Sequence, residues 1–153
     1  MELCPVCQRI EQIQRGENMH FVTELETGYV VLGDIQWVRG YTVFIAKEHK
    51  TELHELERGQ RMKFLEEMSL VAEAVFRAFH PQKMNYELLG NTDAHMHWHL
   101  WPRYAQDLVG GGPMWVKIRE IQDKEALRPT AEELVTLKHD ILSQLNELKR
   151  LPS

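Results

Sequence analysis

The sequence predicts an α+β domain built on an antiparallel sheet of about five strands, with one long helix packed on it and further helices at both ends. Three observations predict it. From His95 to Trp101 polar and apolar residues alternate at the two-residue period of a strand: His95, His97 and His99 on one face, Met96, Trp98 and Leu100 on the other. Between Leu53 and Phe79 the period becomes helical, with Phe64, Leu65, Met68, Val71, Ala72, Val75 and Phe79 on one side. Short β-branched and aromatic runs precede that helix, and two more strands follow it.

In chain order, Ile10–Gly16 reads as a short helix that stops at Gly16. Phe21–Leu25 and Tyr29–Leu32 read as a hairpin turning at Glu26-Thr27-Gly28, and Asp34 follows the second strand. Gly40–Ala46 is a third strand. The long helix ends at His80-Pro81, Met84–Gly90 is the fourth strand, and Gly90–Ala94 turns into the histidine strand. Gly110-Gly111-Gly112-Pro113 marks an irregular segment between Tyr104 and Trp115, without the Gly-Lys-Ser/Thr of a P-loop. Thr130-Ala131-Glu132-Glu133 is a capping box opening a last helix with a stripe of Leu134, Leu137, Ile141, Leu145 and Leu148. So narrow an aliphatic stripe packs either on its own domain or on a partner subunit, with the partner slightly favoured.

The chain has 153 residues, 43% hydrophobic and 27% charged, which suits one globular domain with a proper core. A formal charge of −5 argues against a nucleic-acid surface, so an anionic ligand would have to find local positive character. No apolar run approaches the roughly 18 residues of a membrane span, and Met1-Glu2-Leu3-Cys4 lacks the plan of a signal peptide. With two cysteines only, a cytoplasmic, reducing compartment is the expectation. Cys4-Pro5-Val6-Cys7 admits three readings: a redox pair, half of a tetrahedral zinc site, or two idle thiols. A row of imidazoles likewise admits a metal chelate or nucleophilic catalysis, in which one ring attacks while its neighbours steady it and the anion. Three histidines along one straight strand span too far to converge easily on a single ion.

The run His95–Trp101, with Asn85–Asn91 before it and Pro102-Arg103-Tyr104 after it, resembles the histidine triad (HIT) nucleotide hydrolases and transferases at all seven positions of their His-φ-His-φ-His-φ-φ signature, φ being apolar. It looks most like the bacterial-type branch that includes diadenosine polyphosphate hydrolases. The resemblance implies a HIT domain over residues 1–122, followed by a C-terminal helical extension over 123–153. It implies His97 as the nucleophile that attacks the α-phosphorus of a nucleotide, its second ring nitrogen held by a backbone carbonyl of the same strand, and His99 as donor to a phosphate oxygen. It implies Asn91, with Thr92, as phosphate contacts and Asp34 as the ribose contact. It implies a structural zinc on Cys4, Cys7, His49 and His95, although Ala46 stands where many members have proline ahead of that histidine. Magnesium would come with the substrate. The glycine-rich segment would act as a lid, and a homodimer is expected. Sugar-type transferases usually carry glutamine at the third triad position, so His99 favours hydrolysis. Dinucleoside polyphosphates are the expected substrates, with nucleoside phosphoramidates, or a zinc-stapled nucleotide-binding module without turnover, as alternatives.

Overall fold

The computed structural model describes residues 4–107 and 110–151. Outside them lie Met1–Leu3, residues 108–109 of the glycine-rich segment expected to form a lid, and the last two residues of the expected extension. Helix α1 (Pro5–Gln14) leads to β1 (Phe21–Glu24), β2 (Gly28–Leu32) and β3 (Thr42–Ala46). A 3-10 turn (Leu53–Glu55) precedes α2 (Arg58–Phe79), followed by β4 (Lys83–Glu87) and β5 (His97–Arg103). Then come α3 (Met114–Lys117), 3-10 turns at Ile118–Glu120 and Glu125–Leu127, and α4 (Ala131–Arg150). The strands form one antiparallel sheet in the order β1-β2-β3-β5-β4. No helix among the described residues is long and apolar enough to cross a membrane.

Strand alternation decides what each face buries. Val30 and Leu32 of β2, Phe44 of β3, and Met96 and Leu100 in and beside β5 point to a helical layer made by α2 and α4. Phe64, Val71, Ala72 and Val75 of α2 fill that layer together with Leu134, Leu137, Ile141, Leu145 and Leu148 of α4. The stripe on α4 is therefore consumed inside its own chain, against α2 and β1, and not on the partner subunit that the sequence slightly favoured. At about 1.5–3 kcal/mol per buried aliphatic side chain, its burial is reason enough for the helix to dock. Thr130 caps it: Glu133 N–H donates to the Thr130 hydroxyl at 3.2 Å, and the Glu133 carboxylate accepts from Thr130 N–H at 2.7 Å.

On the opposite face α1 lays Ile10 and Ile13 against Tyr29, Val31 and Ile45. Farther along, Met114 and Ile118 pack with Val38, Tyr41 and Trp101. The sheet is thus covered at two places on this face, and β5, between β3 and β4, brings His97 and His99 to the cavities that remain.

Several boundaries differ from the sequence pattern: α1 begins at Pro5, which suits the first turn of a helix, rather than at Ile10, and β4 ends at Glu87, ahead of the Gly90 turn. The helical period from Leu53 is broken because the Glu55 carboxylate takes the backbone N–H groups of Thr51 and Glu52, at 2.8 and 3.2 Å, and closes a separate short turn. The ladder of β5 starts at His97 rather than His95, since His95 turns its ring into the cluster described below.

Glu67, buried on α2, fastens the β1–β2 turn to the helical layer. Its carboxylate accepts from Glu26 N–H at 3.0 Å, from Thr27 N–H at 2.9 Å and from the Thr27 hydroxyl. Glu67→Ala strands those donors and should lower the unfolding free energy by about 3 kcal/mol in urea titration; a change below ~0.5 kcal/mol would mean that the hairpin holds its own turn.

Candidate active site

Each imidazole of the row has one nitrogen engaged by a fixed partner. His95, fully buried, has Nε2 2.7 Å from the Ala46 carbonyl oxygen. A carbonyl only accepts, so Nε2 carries the proton and Nδ1 presents a lone pair. Burial pushes the His95 pKa down against the opposing pull of that hydrogen bond, which keeps the ring neutral. His97 has Nδ1 2.7 Å from the carbonyl oxygen of His95, two residues back on the same strand. In the neutral ring the proton is therefore on Nδ1, and Nε2 is the nitrogen left for a ligand. His99 has Nδ1 2.6 Å from the Tyr41 hydroxyl, and its ring meets His97 edge-on at 4.7 Å. Burial, reinforced by His97, pushes its pKa down to about 3, so His99 is neutral at physiological pH.

The bare Nδ1 of His95 faces the sulfurs at the start of α1. It lies 3.4 Å from Cys7 Sγ, and His49 Nδ1 lies 3.2 Å from the same sulfur. One ligand atom from each of Cys4, Cys7, His49 and His95 falls within 4.8 Å of all the others. Two sulfurs and two imidazole nitrogens at such separations fit a closed tetrahedral site with metal–ligand bonds of about 2.0–2.3 Å. Partial burial and the adjacent Cys4 sulfur push the Cys7 thiol up, a cost that a cation between the sulfurs would reverse. In such a site His95 would supply the ligand nitrogen, its tautomer fixed by Ala46. Since that nitrogen faces the cysteines, the three triad rings do not converge on one ion.

His97 and His99 sit where two cavities meet. The smaller, about 290 Å³, is walled by Pro5, Val6 and Arg9 of α1 and by Asp34, Ile35 and Trp37. The larger, about 600 Å³, runs past Asn91 and Thr92 on one side and Trp115, Arg119 and Lys124 on the other. Gly90, at φ +77°, makes the turn that carries Asn91 and Thr92 to this rim. All the residues expected to touch substrate thus line the two cavities. Asp34 is already engaged, however: Arg9 donates to both carboxylate oxygens, at 2.9 and 2.5 Å. Burial alone would raise the Asp34 pKa, but the Arg9 guanidinium holds it below the usual range and keeps the group ionised.

Sequence reasoning missed Arg9, Tyr41, Trp115, Arg119 and Lys124. Arg9 is two residues past Cys7, yet nothing local says that α1 turns it toward a carboxylate 25 positions away. The cations at 119 and 124 belong to a stretch with no periodic pattern, and only the chain path returns them to the histidines. The glycine-rich segment is tied down by Arg103, whose guanidinium donates to the carbonyls of Gly110 and Gly112 and to the Asp107 carboxylate.

The depressed pKa of His99 has a consequence for stability. Between its unfolded value of 6.5 and its folded value of about 3, the unfolded chain binds a proton that the folded chain refuses. Its contribution is complete above pH 6.5 and is lost as pH falls, by up to about 1.4 kcal/mol per pH unit. In urea unfolding from pH 6.5 to 5, His99→Gln should show a shallower loss than the wild type; equal slopes would mean that the ring is not desolvated.

Comparison with known proteins agrees with this geometry. The HIT domain profile matches residues 14–106. No curated protein matches the chain. A histidine triad protein from Marinobacter aquaeolei VT8 is 26% identical, with a TM-score of 0.72 over 84% of this chain and 90% of that one. A hypothetical histidine triad nucleotide-binding protein from Sulfolobus tokodaii strain7 shares the fold at 21% identity, with a TM-score of 0.72 over 94% of this chain and 95% of that one. A Zn-bound histidine triad family protein from Mycobacterium smegmatis does so at 20% identity and a TM-score of 0.64, over 95% of this chain and 96% of that one. The profile spans more than half of the sequence and contains the whole row of imidazoles, and on that ground the chain belongs to the HIT family.

Proposed function

We propose that this protein is a nucleotide hydrolase that cleaves dinucleoside polyphosphates of the diadenosine tetraphosphate type at the α-phosphate, through a nucleotidyl-histidine intermediate on His97. The observation that carries the reading is the 2.7 Å hydrogen bond from His97 Nδ1 to the His95 carbonyl, which in the neutral ring puts the lone pair on Nε2, where two cavities meet. That lone pair attacks phosphorus while the bond to the bridging oxygen breaks, and the leaving polyphosphate departs with the bonding electrons. The charge gained by the ring is eased through Nδ1–H and the carbonyl. Water then attacks the same phosphorus, gives up a proton, and releases the nucleoside monophosphate and His97. His99 donates to a phosphate oxygen, and Asn91 with Thr92 holds the phosphates. Asp34, kept ionised by Arg9, accepts from the ribose hydroxyls.

The residues around 1–122 carry this chemistry in the proposal, with 123–153 as an extension that contributes Lys124 to the cavity wall. Arg119 and Lys124 give an acidic chain local positive charge beside the triad, which favours a polyphosphate over the uncharged leaving group of many phosphoramidates. Zinc on Cys4, Cys7, His49 and His95 is supported by the tetrahedral fit and by the zinc-bound relative; it would secure α1 to the start of the triad strand. Magnesium is assigned no protein ligands and would arrive on the polyphosphate. A homodimer is the proposed assembly, supported by β4, which stands at the sheet edge with Tyr86 exposed. Two free cysteines suit the reducing cytoplasm.

The test is hydrolysis of diadenosine tetraphosphate, with products separated by chromatography. The wild type should release adenylate and ATP, and His97→Ala should lose at least about 10³-fold in kcat/KM. Binding without turnover would leave a nucleotide-binding module, and cleavage of phosphoramidates alone would move the substrate assignment.

A further inference from the structure

His99 has one ring nitrogen against the protein and one toward the cavities, and as a neutral ring it holds a single proton. If that proton sits on Nδ1, the nitrogen facing a bound phosphate is a lone pair and repels it. If it sits on Nε2, the same atom is a hydrogen-bond donor. The backbone carbonyls that settle this question for His95 and His97 have no counterpart here, because the partner of His99 is a hydroxyl, which can either donate or accept.

The surroundings of Tyr41 answer it. Its ring lies flat on Trp101, with centroids 3.6 Å apart and planes 7° off parallel. Its other flank is open to the backbone only because residue 33 is glycine: a Cβ there would come within 2.1 Å of the Tyr41 ring. Its backbone carbonyl is held by Gly33 N–H at 3.0 Å and by the Gln36 amide at 2.9 Å. Trp101 is itself pinned, its indole N–H donating to Glu87 at 2.9 Å. The hydroxyl thus has a fixed position, 2.6 Å from His99 Nδ1. Among the described residues it has no second hydrogen-bond partner, and Tyr41 is buried. Were His99 to donate, the phenol proton would be left inside the protein without an acceptor. Burial also holds that proton on the phenol by raising its pKa.

We propose that Tyr41 is a positioning residue: its hydroxyl donates to Nδ1 of His99, fixes the proton of that ring on Nε2, and so makes the third triad histidine a hydrogen-bond donor to the phosphate attacked by His97. Tyr41 touches no substrate in this account; it acts through His99. The catalytic part of the inference rests on the hydrolase reading above, whereas the tautomer does not.

Two measurements on the full chain test it. Long-range nitrogen–proton NMR of the ring nitrogens should find His99 as a single Nε2–H tautomer in the wild type and as a mixture, or as Nδ1–H, in Tyr41→Phe, which keeps the ring stack and removes one oxygen. With diadenosine tetraphosphate, Tyr41→Phe should lower kcat about tenfold and leave KM within about twofold. In the His99→Gln background, where the amide donor has no tautomer, the same substitution should change kcat by less than about twofold. An Nδ1–H wild-type ring, an unchanged tautomer in Tyr41→Phe, or equal losses in both backgrounds would overturn the proposal. A wild type that hydrolyses no nucleotide would defeat the hydrolase reading, while the NMR result would still decide the role of Tyr41.

Discussion

A backbone carbonyl oxygen can accept a hydrogen bond and cannot give one, and the site is arranged around that constraint. Neutral imidazole has one protonated and one bare nitrogen, and which is which determines whether it attacks, ligates or donates. The Ala46 carbonyl leaves His95 with a lone pair on Nδ1 that faces two cysteines. The carbonyl of His95 in turn holds Nδ1–H of His97, so that the neutral ring presents the lone pair of Nε2 to the cavities. The two are chained through one residue: the ring of His95 joins Cys4, Cys7 and His49, and its backbone carbonyl holds His97, the proposed nucleophile. Whatever steadies the cluster also steadies the carbonyl on which His97 depends.

The sheet supplies the precision. β5 lies between β3 and β4, with Val43 paired to His99 and Ile45 to His97, so the triad stands on a central strand paired on both sides. Met96 and Leu100 anchor it from beneath in the layer of α2 and α4. The residues that would meet the rest of a nucleotide come from less regular parts: α1, the turn after Gly90, and the segment 115–124. Rigid chemistry with peripheral recognition is the division expected when a reacting nitrogen must be placed to within a fraction of an ångström.

Much of this was legible in the chain because it depended on local period. The alternation from His95 to Trp101 separates a packing face from a chemical face at any strand position; both faces of β5 are buried, Met96 and Leu100 in the helical layer and His97 and His99 beside the cavities. The capping box at Thr130 and the stripe on the last helix likewise announced α4, but a stripe only says that it will be buried. Its destination on α2 and β1 depends on the chain path, which is why the sequence alone slightly favoured a partner subunit. The cluster Cys4, Cys7, His49 and His95 needed the family pattern, since no local rule joins residues 42 and 88 positions apart. Arg9 against Asp34 and Tyr41 against His99 were invisible for the same reason, and the second hinges on a glycine that only close packing makes necessary.

The central claim is that a nitrogen of the protein, and not water, makes the first bond to phosphorus. The stereochemical course at that atom tests it most directly. A dinucleoside polyphosphate carrying a chiral α-phosphorothioate, hydrolysed in ¹⁸O-water, passes through two in-line displacements if His97 forms a covalent intermediate, and the configuration at the α-phosphorus is then retained. Retention is the predicted result. Inversion would mean a single displacement by water and would contradict the account, leaving the His97–His95 hydrogen bond as a means of orienting a base rather than a nucleophile.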